Sequence, residues 1–265
     1  MINLIHAEFY KLSKSMAIKI CFLAACASAA ALVLISHGLA AGSINSSIRG
    51  SASGLSELVI ISLLGSLLTG LLICSDFENK TIHEAVACSG GRSSIVISKS
   101  IMYIFQIVLL MLPYSIAAII GFSTGADFVK PFVGSSFLGA LYDSAGISLS
   151  AEKLVKITAV FIVTMLVHAA RLSICIPLAY KLRKPIAITA IGFTYSALID
   201  LILGMLKDVP LIGNLISITP YHMDFVTMSF DTALGMVIKA AVCSILFIIL
   251  ITLFTYRIFR RAEIK

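Results

Sequence analysis

Long apolar runs separated by short polar segments dominate the pattern of this chain. A helix needs about 20 apolar residues to cross a hydrocarbon core about 30 Å thick. Six runs reach that length: about 17–41, 55–75, 101–122, 154–178, 185–206 and 234–256. Backbone groups in lipid must be hydrogen-bonded within each segment, and the alternating ten-residue runs of a membrane barrel do not occur. The pattern therefore predicts a single all-α integral membrane domain over residues 1–265, with six transmembrane helices.

The segment before the first run, residues 1–16, is amphipathic. Its large apolar residues recur at helical spacing: Ile2, Ile5, Phe9 and Leu12. Polar side chains, among them Glu8 and Lys11, occupy the rest of the helical wheel. This arrangement predicts an interfacial helix that lies along the membrane surface. The alternative is a frayed polar leader.

The composition agrees with a membrane protein and argues against nucleic-acid binding. The 265 residues are 59% hydrophobic and 12% charged, whereas an ordinary soluble domain has about 45–50% apolar and about 25% charged residues. A soluble fold could not bury so much apolar sequence. The net charge of +7 comes from short basic clusters between the runs, which is typical of topology signals and not of a nucleic-acid surface.

Lysine and arginine residues set the expected orientation, because cytoplasmic loops of membrane proteins carry an excess of both. Thirteen fall on one side of the predicted spans: Lys11, Lys14, Lys19, Lys80, Arg92, Lys99, Lys181, Arg183, Lys184, Arg257, Arg260, Arg261 and Lys265. Five fall on the other: Arg49, Lys130, Lys153, Lys156 and Lys207. Both termini and residues 76–100 are thus expected in the cytoplasm, with the chain in a plasma membrane.

The outer segment 207–233 is too apolar for a solvated loop and too interrupted for a span. Irregular backbone of this kind is tolerated at membrane depth when it packs against other protein. We therefore expect short re-entrant or interfacial helices before the sixth span.

The sequence contains no recognisable catalytic or metal-binding motif. It lacks GxxxxGK[ST], HExxH and GxSxG, and its six cysteines include no CxxC pair. The Ser89-Gly90-Gly91 tripeptide echoes the signature loop of an ABC ATPase but stands without an ATPase domain. We expect no catalytic residue, no metal and no enzymatic activity from this chain alone.

Residues 75–100, SDFENKTIHEAVACSGGRSSIVISKS, form a polar island between the second and third spans. Ser75-x-x-Glu78 and Thr81-x-x-Glu84 are both capping-box patterns. The second predicts a helix from Ile82 to about Cys88, ended by Gly90 and Gly91. Its apolar face comprises Ile82, Ala85 and Val86, with Glu78, Lys80 and Glu84 around it. Two turns are too few for stability in water, so this helix is expected to need a partner.

The island resembles the segment between the second and third spans of ABC-2 type transporter permeases. That family carries a run of the form E-x-x-T, followed by G-x-R/S-R/S-x-x-I and a nearby S-K pair. The matching residues here are Glu78, Thr81, Gly91, Arg92, Ser93, Ser94, Ile97, Ser98 and Lys99. The leader HAEFYKLSKS is similar to the interfacial helix that opens those permeases, with Glu8, Lys11 and Ser15 in matching places. Nearly the whole chain takes part in the resemblance. Because the chain is short and lacks a large outer domain, it is most similar to the small permeases that export bacterial peptides such as lantibiotics and phenol-soluble modulins.

The resemblance implies the membrane subunit of a bacterial ABC exporter. Two permease chains, identical or paralogous, would pair, and two cytoplasmic ATPase subunits would bind the two islands. ATP and magnesium would be held by those subunits, so this chain itself would bind no cofactor. The resemblance implies a coupling helix in the island, with an expected ATPase contact at Glu78, Lys80, Thr81, Ile82, Glu84, Ala85, Val86, Gly90, Gly91 and Arg92. Glu8, Phe9 and Lys11 would belong to the interfacial helix.

Ionisable residues within the spans are functional candidates, because charge in lipid is costly. Counted along the predicted helices, Asp200 and Lys239 lie at similar depth near the outer side, which predicts an interaction between them. The alternative places Asp200 in outer water. Arg171 is expected to extend its side chain towards the inner side. His168, near mid-membrane, either lines a translocation path or is an ordinary packed histidine.

Two further questions stay open at the level of sequence. Ser62, Ser66 and Gly70 recur at small-x-x-x-small spacing, which permits close helix packing either between two subunits or within one. The leading function, export of an amphipathic or hydrophobic substrate such as a peptide, has two rivals. One is a secondary transporter or channel. The other is an intramembrane enzyme that uses His168 with Asp200 or Glu57.

Overall fold

In the computed structural model, the described residues are 2–88, 91–124, 128, 135–143, 151–206 and 209–262. Every regular element in these ranges is helical. Gly90 of the expected ATPase contact lies outside the described residues, as do Ser89, Lys130, Lys207 and Lys265.

Six helical segments are long and apolar enough to cross a membrane, as the hydrophobic pattern predicts. The helices of these segments are α2 (Met16–Ala40), α4 (Glu57–Glu78), α6 (Arg92–Thr124), α8 (Ala151–Leu172) with α9 (Cys175–Leu182), α10 (Pro185–Leu206) and α13 (Leu234–Arg261). The remaining helices are α1 (Ile2–Lys14), α3 (Arg49–Ala52), α5 (Ile82–Cys88), α7 (Ser136–Asp143), α11 (Pro210–Ile216) and α12 (Met223–Val226). The chain is therefore a multi-pass, all-helical membrane protein.

Two spans extend beyond their apolar runs into polar sequence. Helix α6 begins at Arg92, well before the apolar run at residue 101, and α13 continues to Arg261. These extensions carry Lys99, Arg92 and Arg260 on regular helix at the edge of the bundle. The polar ends, which a hydropathy pattern leaves out, supply most of the charged contacts described below.

Helix α2 ends in a Schellman motif, in which a residue in the left-handed region satisfies the last free carbonyl groups. Gly42 has φ +70°. The Ser43 N–H donates to the Gly38 carbonyl (3.0 Å), and the Gly42 N–H donates to that of Leu39 (3.3 Å). Glycine at this position thus explains why the first span stops here.

The interior of the bundle is built around α6 and α8. Helix α6 contacts α1, α2, α4, α7, α8 and α13. Its Tyr103 is fully buried and donates a hydrogen bond to the Ala169 carbonyl of α8 (2.6 Å). Helix α10, by contrast, lies at the periphery with most of its large apolar side chains exposed, such as Leu201 and Met205. Exposed apolar surface on this scale is suited to contact with lipid or with another membrane chain, because soluble monomers rarely carry large apolar patches.

The small residues of the second span pack within the subunit. A Cβ added at Gly192 of α10 would lie 2.6 Å from the Ser66 Cβ, and one added at Gly70 would lie 3.0 Å from the Pro185 backbone. Ser62, Ser66 and Gly70 are all buried. The small-residue spacing therefore serves the close approach of α4 and α10 in one chain.

The segment before the sixth span contains two short helices, α11 and α12, as its interrupted pattern predicts. Phe225 and Val226 of α12 are buried in the core. Tyr221, between the two helices, donates a hydrogen bond to the Arg171 carbonyl (2.8 Å). This segment is thus part of the packed domain.

Candidate functional site: a buried ion network behind a short surface helix

Four charged side chains meet where α1, α4 and α6 come together. We call Glu8, Lys11, Asp76 and Lys99 the charged network. Glu8, Asp76 and Lys99 are almost entirely buried, at 3%, 6% and 3% exposure, which charged residues rarely are unless they are paired. The network therefore holds three sequence-distant helices together.

Lys99 is the centre of the charged network. Its Nζ lies 2.7 Å from Glu8 Oε2 and 2.6 Å from Asp76 Oδ2. It also donates to the Leu72 carbonyl of α4 (2.8 Å). Two hydrogen bonds, to Glu8 and to the Leu72 carbonyl, and an ion pair with Asp76 thus join α6 to α1 and α4 through Lys99.

Lys11 is the peripheral member of the charged network. Its Nζ lies 3.5 Å from both Glu8 Oε1 and Asp76 Oδ1, and its side chain is 54% exposed. Partial burial lowers the pKa of Lys11, but attraction by Asp76 and Glu8 outweighs this effect, so the pKa is raised above its ordinary value. Lys11 therefore remains charged while it stays free to reorient.

The network continues to the start of α5. The Thr81 hydroxyl donates to Asp76 Oδ1 (3.2 Å), and the Ala85 N–H donates to the Thr81 carbonyl (3.0 Å). Helix α5 occupies Ile82–Cys88, the bounds that the sequence predicts. Lys80, which lies between α4 and α5, has φ +57° and so makes a tight reversal after α4. The end of α4, the turn and α5 thus form one connected unit.

Of the two predicted capping boxes, the first is wrong. Ser75 lies inside α4 and its hydroxyl donates to the Leu71 carbonyl (2.5 Å), so it begins no helix. Thr81 does precede α5, as the second pattern predicts. Its hydroxyl also donates to Asp76, a contact that the pattern does not anticipate.

The exposed face of α5 is also the reverse of the predicted one. Ile82 is buried at 3% exposure, and Ala85 and Val86 are half-buried against the same core. The apolar face therefore finds its partner within the chain, as a two-turn helix requires. The side chains left at the surface of this turn and helix are mainly polar: Glu78, Asn79, Lys80, His83 and Glu84, together with Ala87.

Arg92, expected to face a partner, instead closes the end of the last span. Its Nη1 donates to the carbonyl groups of Phe259 (2.9 Å), Arg260 (2.9 Å) and Ala262 (3.1 Å). The last carbonyls of a helix have no partner within it and favour a cation. Gly91, with φ +149°, precedes this contact. Arg92 thus brings the C-terminal end of α13 to the same end of the bundle as the charged network.

The N-terminal helix is present, but its polar residues do not all face outwards. Glu8, expected on the polar face of an interfacial helix, is buried in the charged network. Phe9 is 48% exposed and its ring packs edge-on against Phe105 of α6 at 5.3 Å. Glu8 turns inwards because Lys99 offers it a buried ionic partner.

The predicted pairing of Asp200 with Lys239 is wrong. Asp200 pairs with Arg171, whereas the Lys239 ammonium lies 5.9 Å from the centre of the Phe225 ring. The span that contains Arg171 continues through α9 to Leu182. Arg171 therefore lies about 16 Å from the inner end of its span and not near the inner surface, as was expected. Its side chain, expected to extend inwards, therefore reaches Asp200.

No ion pair among the described residues joins His168 to Asp200 or to Lys239. Its Nε2 is 3.4 Å from the Ser136 Oγ at the start of α7. His168 also lines a small cavity of about 20 Å³ with Arg171, Tyr195 and Tyr221, enough for one water molecule. Of the three candidates for a translocation path, His168 and Asp200 thus share Arg171 as a neighbour, whereas Lys239 lies beside Phe225.

Glu57, which the enzyme hypothesis considers, is fully buried and joins α4 to α7. Its Oε1 accepts hydrogen bonds from the backbone N–H groups of Ser136 and Phe137, the latter at 2.9 Å. A serine nucleophile beside His168 would need such N–H groups to stabilise an oxyanion, and here the carboxylate occupies them. The geometry is that of a side-chain cap at the start of α7.

The charged network was not predicted, although a signal for it exists. Glu8, Lys11, Asp76 and Lys99 all flank apolar runs on the side that the lysine and arginine distribution selects. Charges of opposite sign confined to one layer of a bundle are expected to pair. Among the described residues, no group of three or more His, Cys, Asp and Glu side chains is arranged to hold a metal ion.

In comparisons with known proteins, no protein-family model matches the chain, and no curated protein matches it.

Proposed function

We propose that this chain is the membrane-spanning permease subunit of a bacterial ATP-dependent exporter of the ABC-2 type. It would work as one of two permease chains with two cytoplasmic ATPase subunits, and both of its termini would lie in the cytoplasm of a plasma membrane. The observation that carries the proposal is the connection of a short polar surface helix, α5, to three helices of the bundle through the charged network.

A transporter powered by a separate ATPase needs a rigid element that passes a push into the spans. Thr81 links α5 to Asp76, and Lys99 links Asp76 to α1 and α6. Displacement of α5 would therefore move the ends of α4, α6 and α1 together. A channel or a secondary transporter has no evident need for such an element.

The docking surface proposed here differs from the one that the sequence alone suggests. Glu78, Lys80 and Glu84 form its exposed part, and Ile82 supports it from below. The partner would present complementary charge and hydrogen-bonding groups to α5. The substrate class, an amphipathic or hydrophobic molecule such as a peptide, rests on the resemblance alone.

Co-isolation with an ATPase tests the proposal. The chain is co-expressed with a cytoplasmic ABC ATPase of the same source and purified through an affinity tag. Glu84→Arg should release the ATPase, because it reverses a charge at the exposed face. Asp231→Arg, which reverses an exposed charge before α13 at the opposite end of the bundle, should retain it. Equal retention by both variants, or no association for the unmodified chain, would contradict the proposal.

Ile82→Asp is unsuitable for this test. It would bury a carboxylate at a site of 3% exposure, so any loss of binding would be explained by misfolding.

A further inference from the structure

A pocket of about 270 Å³ lies beside the charged network, between α1, α2, α4 and α6. One wall is apolar, with Leu12 of α1, Ile18 of α2 and Leu68 of α4. The other is polar, with the charged network (Glu8, Lys11, Asp76 and Lys99), Ser15 and Gln106. A cavity large enough for many waters and with an apolar wall is suited to an amphipathic occupant.

The polar groups at the mouth of the pocket are available to an anion. The Lys11 ammonium is held only by contacts of 3.5 Å and is half-exposed, so it can turn towards a ligand. Ser15, at the junction of α1 and α2, makes no side-chain hydrogen bond to cap α2. An ammonium group and a hydroxyl group side by side are typical donors to a phosphate.

Deeper in the pocket, Gln106 needs a partner. It is buried at 2% exposure, and its Oε1 has no hydrogen-bond partner among the described residues. It lies two turns along α6 from Lys99, about 10 Å deeper in the bundle. Its side-chain amide nitrogen, Nε2, carries two N–H donors. An ester carbonyl below a phosphate headgroup would accept from them.

We propose that this pocket binds one glycerophospholipid of the adjacent leaflet. The phosphate lies at Lys11 and Ser15, an ester carbonyl lies at Gln106, and an acyl chain lies along Ile18, Leu68 and Leu72. The lipid would fill the space between α1 and α4 beside the charged network. This inference does not depend on the proposed transport function.

Native mass spectrometry of the full-length chain in detergent, after delipidation, tests the proposal. Dioleoyl phosphatidylglycerol is added, with glycerol 3-phosphate and diolein in parallel. We expect one phosphatidylglycerol per chain to survive transfer into the gas phase, while glycerol 3-phosphate and diolein bind at least about ten-fold more weakly. If glycerol 3-phosphate bound as tightly as phosphatidylglycerol, the acyl chains would have no role in binding. If diolein bound as tightly, the phosphate would have none. Either result, or no retained lipid, overturns the proposal.

Variants locate the site. Ala17 lines the pocket, so Ala17→Phe should abolish the adduct by filling it. Lys11→Gln should weaken it about ten-fold, the change expected for one lost charge-assisted hydrogen bond. Lys14→Gln, on the same helix but away from the pocket, should bind lipid as the unmodified chain does. The assignment would be contradicted if Lys11→Gln left lipid binding unchanged, or if Lys14→Gln weakened it as much as Lys11→Gln does. Both outcomes can be read even if Ala17→Phe fails to fold.

Discussion

Replacement of Lys99 by methionine is the most informative perturbation of the charged network. The substitution keeps a side chain of similar length but removes the cation that lies between Glu8 and Asp76. Two nearly buried carboxylates would then share only Lys11, at 3.5 Å and half-exposed to solvent. Their charges would be largely uncompensated.

The expected cost follows from the distances. At an effective dielectric constant of about 20, unit charges at the 2.7 Å separation of Lys99 and Glu8 attract by about 6 kcal/mol. Desolvation offsets much of this attraction in the intact network. Removal of one partner leaves the other buried and unpaired, which costs about 3–5 kcal/mol in comparable sites. Glu8→Gln should cost less, since Lys99 keeps Asp76 and the Leu72 carbonyl.

Thermal unfolding in detergent, followed with a thiol-reactive fluorophore, measures the effect. Cys21, Cys74 and Cys175 are buried and become reactive only when the bundle opens. At about 2–4 °C per kcal/mol for chains somewhat smaller than this one, Lys99→Met should lower the midpoint by about 6–20 °C. Lys181→Met, which removes an exposed lysine at the same end of the bundle, should leave it within about 1 °C.

A double-mutant cycle makes the test specific. If Glu8 and Lys99 stabilise each other, the double variant Glu8→Gln/Lys99→Met should be destabilised by clearly less than the sum of the single changes. A Lys99→Met midpoint equal to that of the unmodified chain, or strict additivity in the cycle, would refute the reasoning.

Three further predictions use the same unfolding assay. Gly192→Ala should destabilise the bundle by about 1–3 kcal/mol, because its Cβ would meet the Ser66 Cβ at 2.6 Å and the Cys175 Sγ at 2.7 Å. Gly204→Ala, with nothing within 4 Å, should stabilise by about 0.5–1 kcal/mol. Stabilisation by Gly192→Ala as well would show that α4 and α10 do not pack closely. Glu57→Leu should lower the stability of the bundle by about 2 kcal/mol or more, because it leaves two buried N–H groups unpaired. Glu57→Gln keeps an acceptor and should lower the stability much less; equal losses of stability would rule out the helix-cap role. Arg92→Ala should destabilise the bundle by about 1–3 kcal/mol, because it loses its hydrogen bonds to three carbonyl groups at the end of α13. Lys184→Ala is the matched exposed control; Arg183→Ala is unsuitable, since the Arg183 guanidinium lies over the Phe77 ring. An unchanged midpoint for Arg92→Ala would contradict the contact.

The hydrophobic pattern was sufficient to predict the six spanning helices and the existence of α1. Each depends on local spacing of apolar residues, which one sequence displays directly. Helix ends were harder, because α6 and α13 continue through charged residues whose partners are distant. Arg92 extends the ordered helix only because it finds the carbonyls of α13, and such a contact leaves no local pattern.

The helix α5 was predicted in place but not in orientation, and the charged network behind it was not predicted. The bounds of α5 followed from Thr81 and the glycines, whereas its face depended on whether the apolar side would meet a partner or its own bundle. Ile82 is buried because the chain supplies that partner. The pairing of Asp200 failed for a related reason: depth along a span is counted from an assumed end, and the extension of α8 through α9 moved that end for Arg171.

Reconstitution into liposomes tests the central claim most directly. The purified chain is inserted alone or together with its co-isolated ATPase, and movement of a fluorescent amphipathic peptide across the bilayer is followed with and without ATP. Transport that requires the ATPase and ATP, and that is lost with Glu84→Arg but kept with Asp231→Arg, is the predicted result. Transport by the chain alone, at the same rate with and without ATP, would contradict the account.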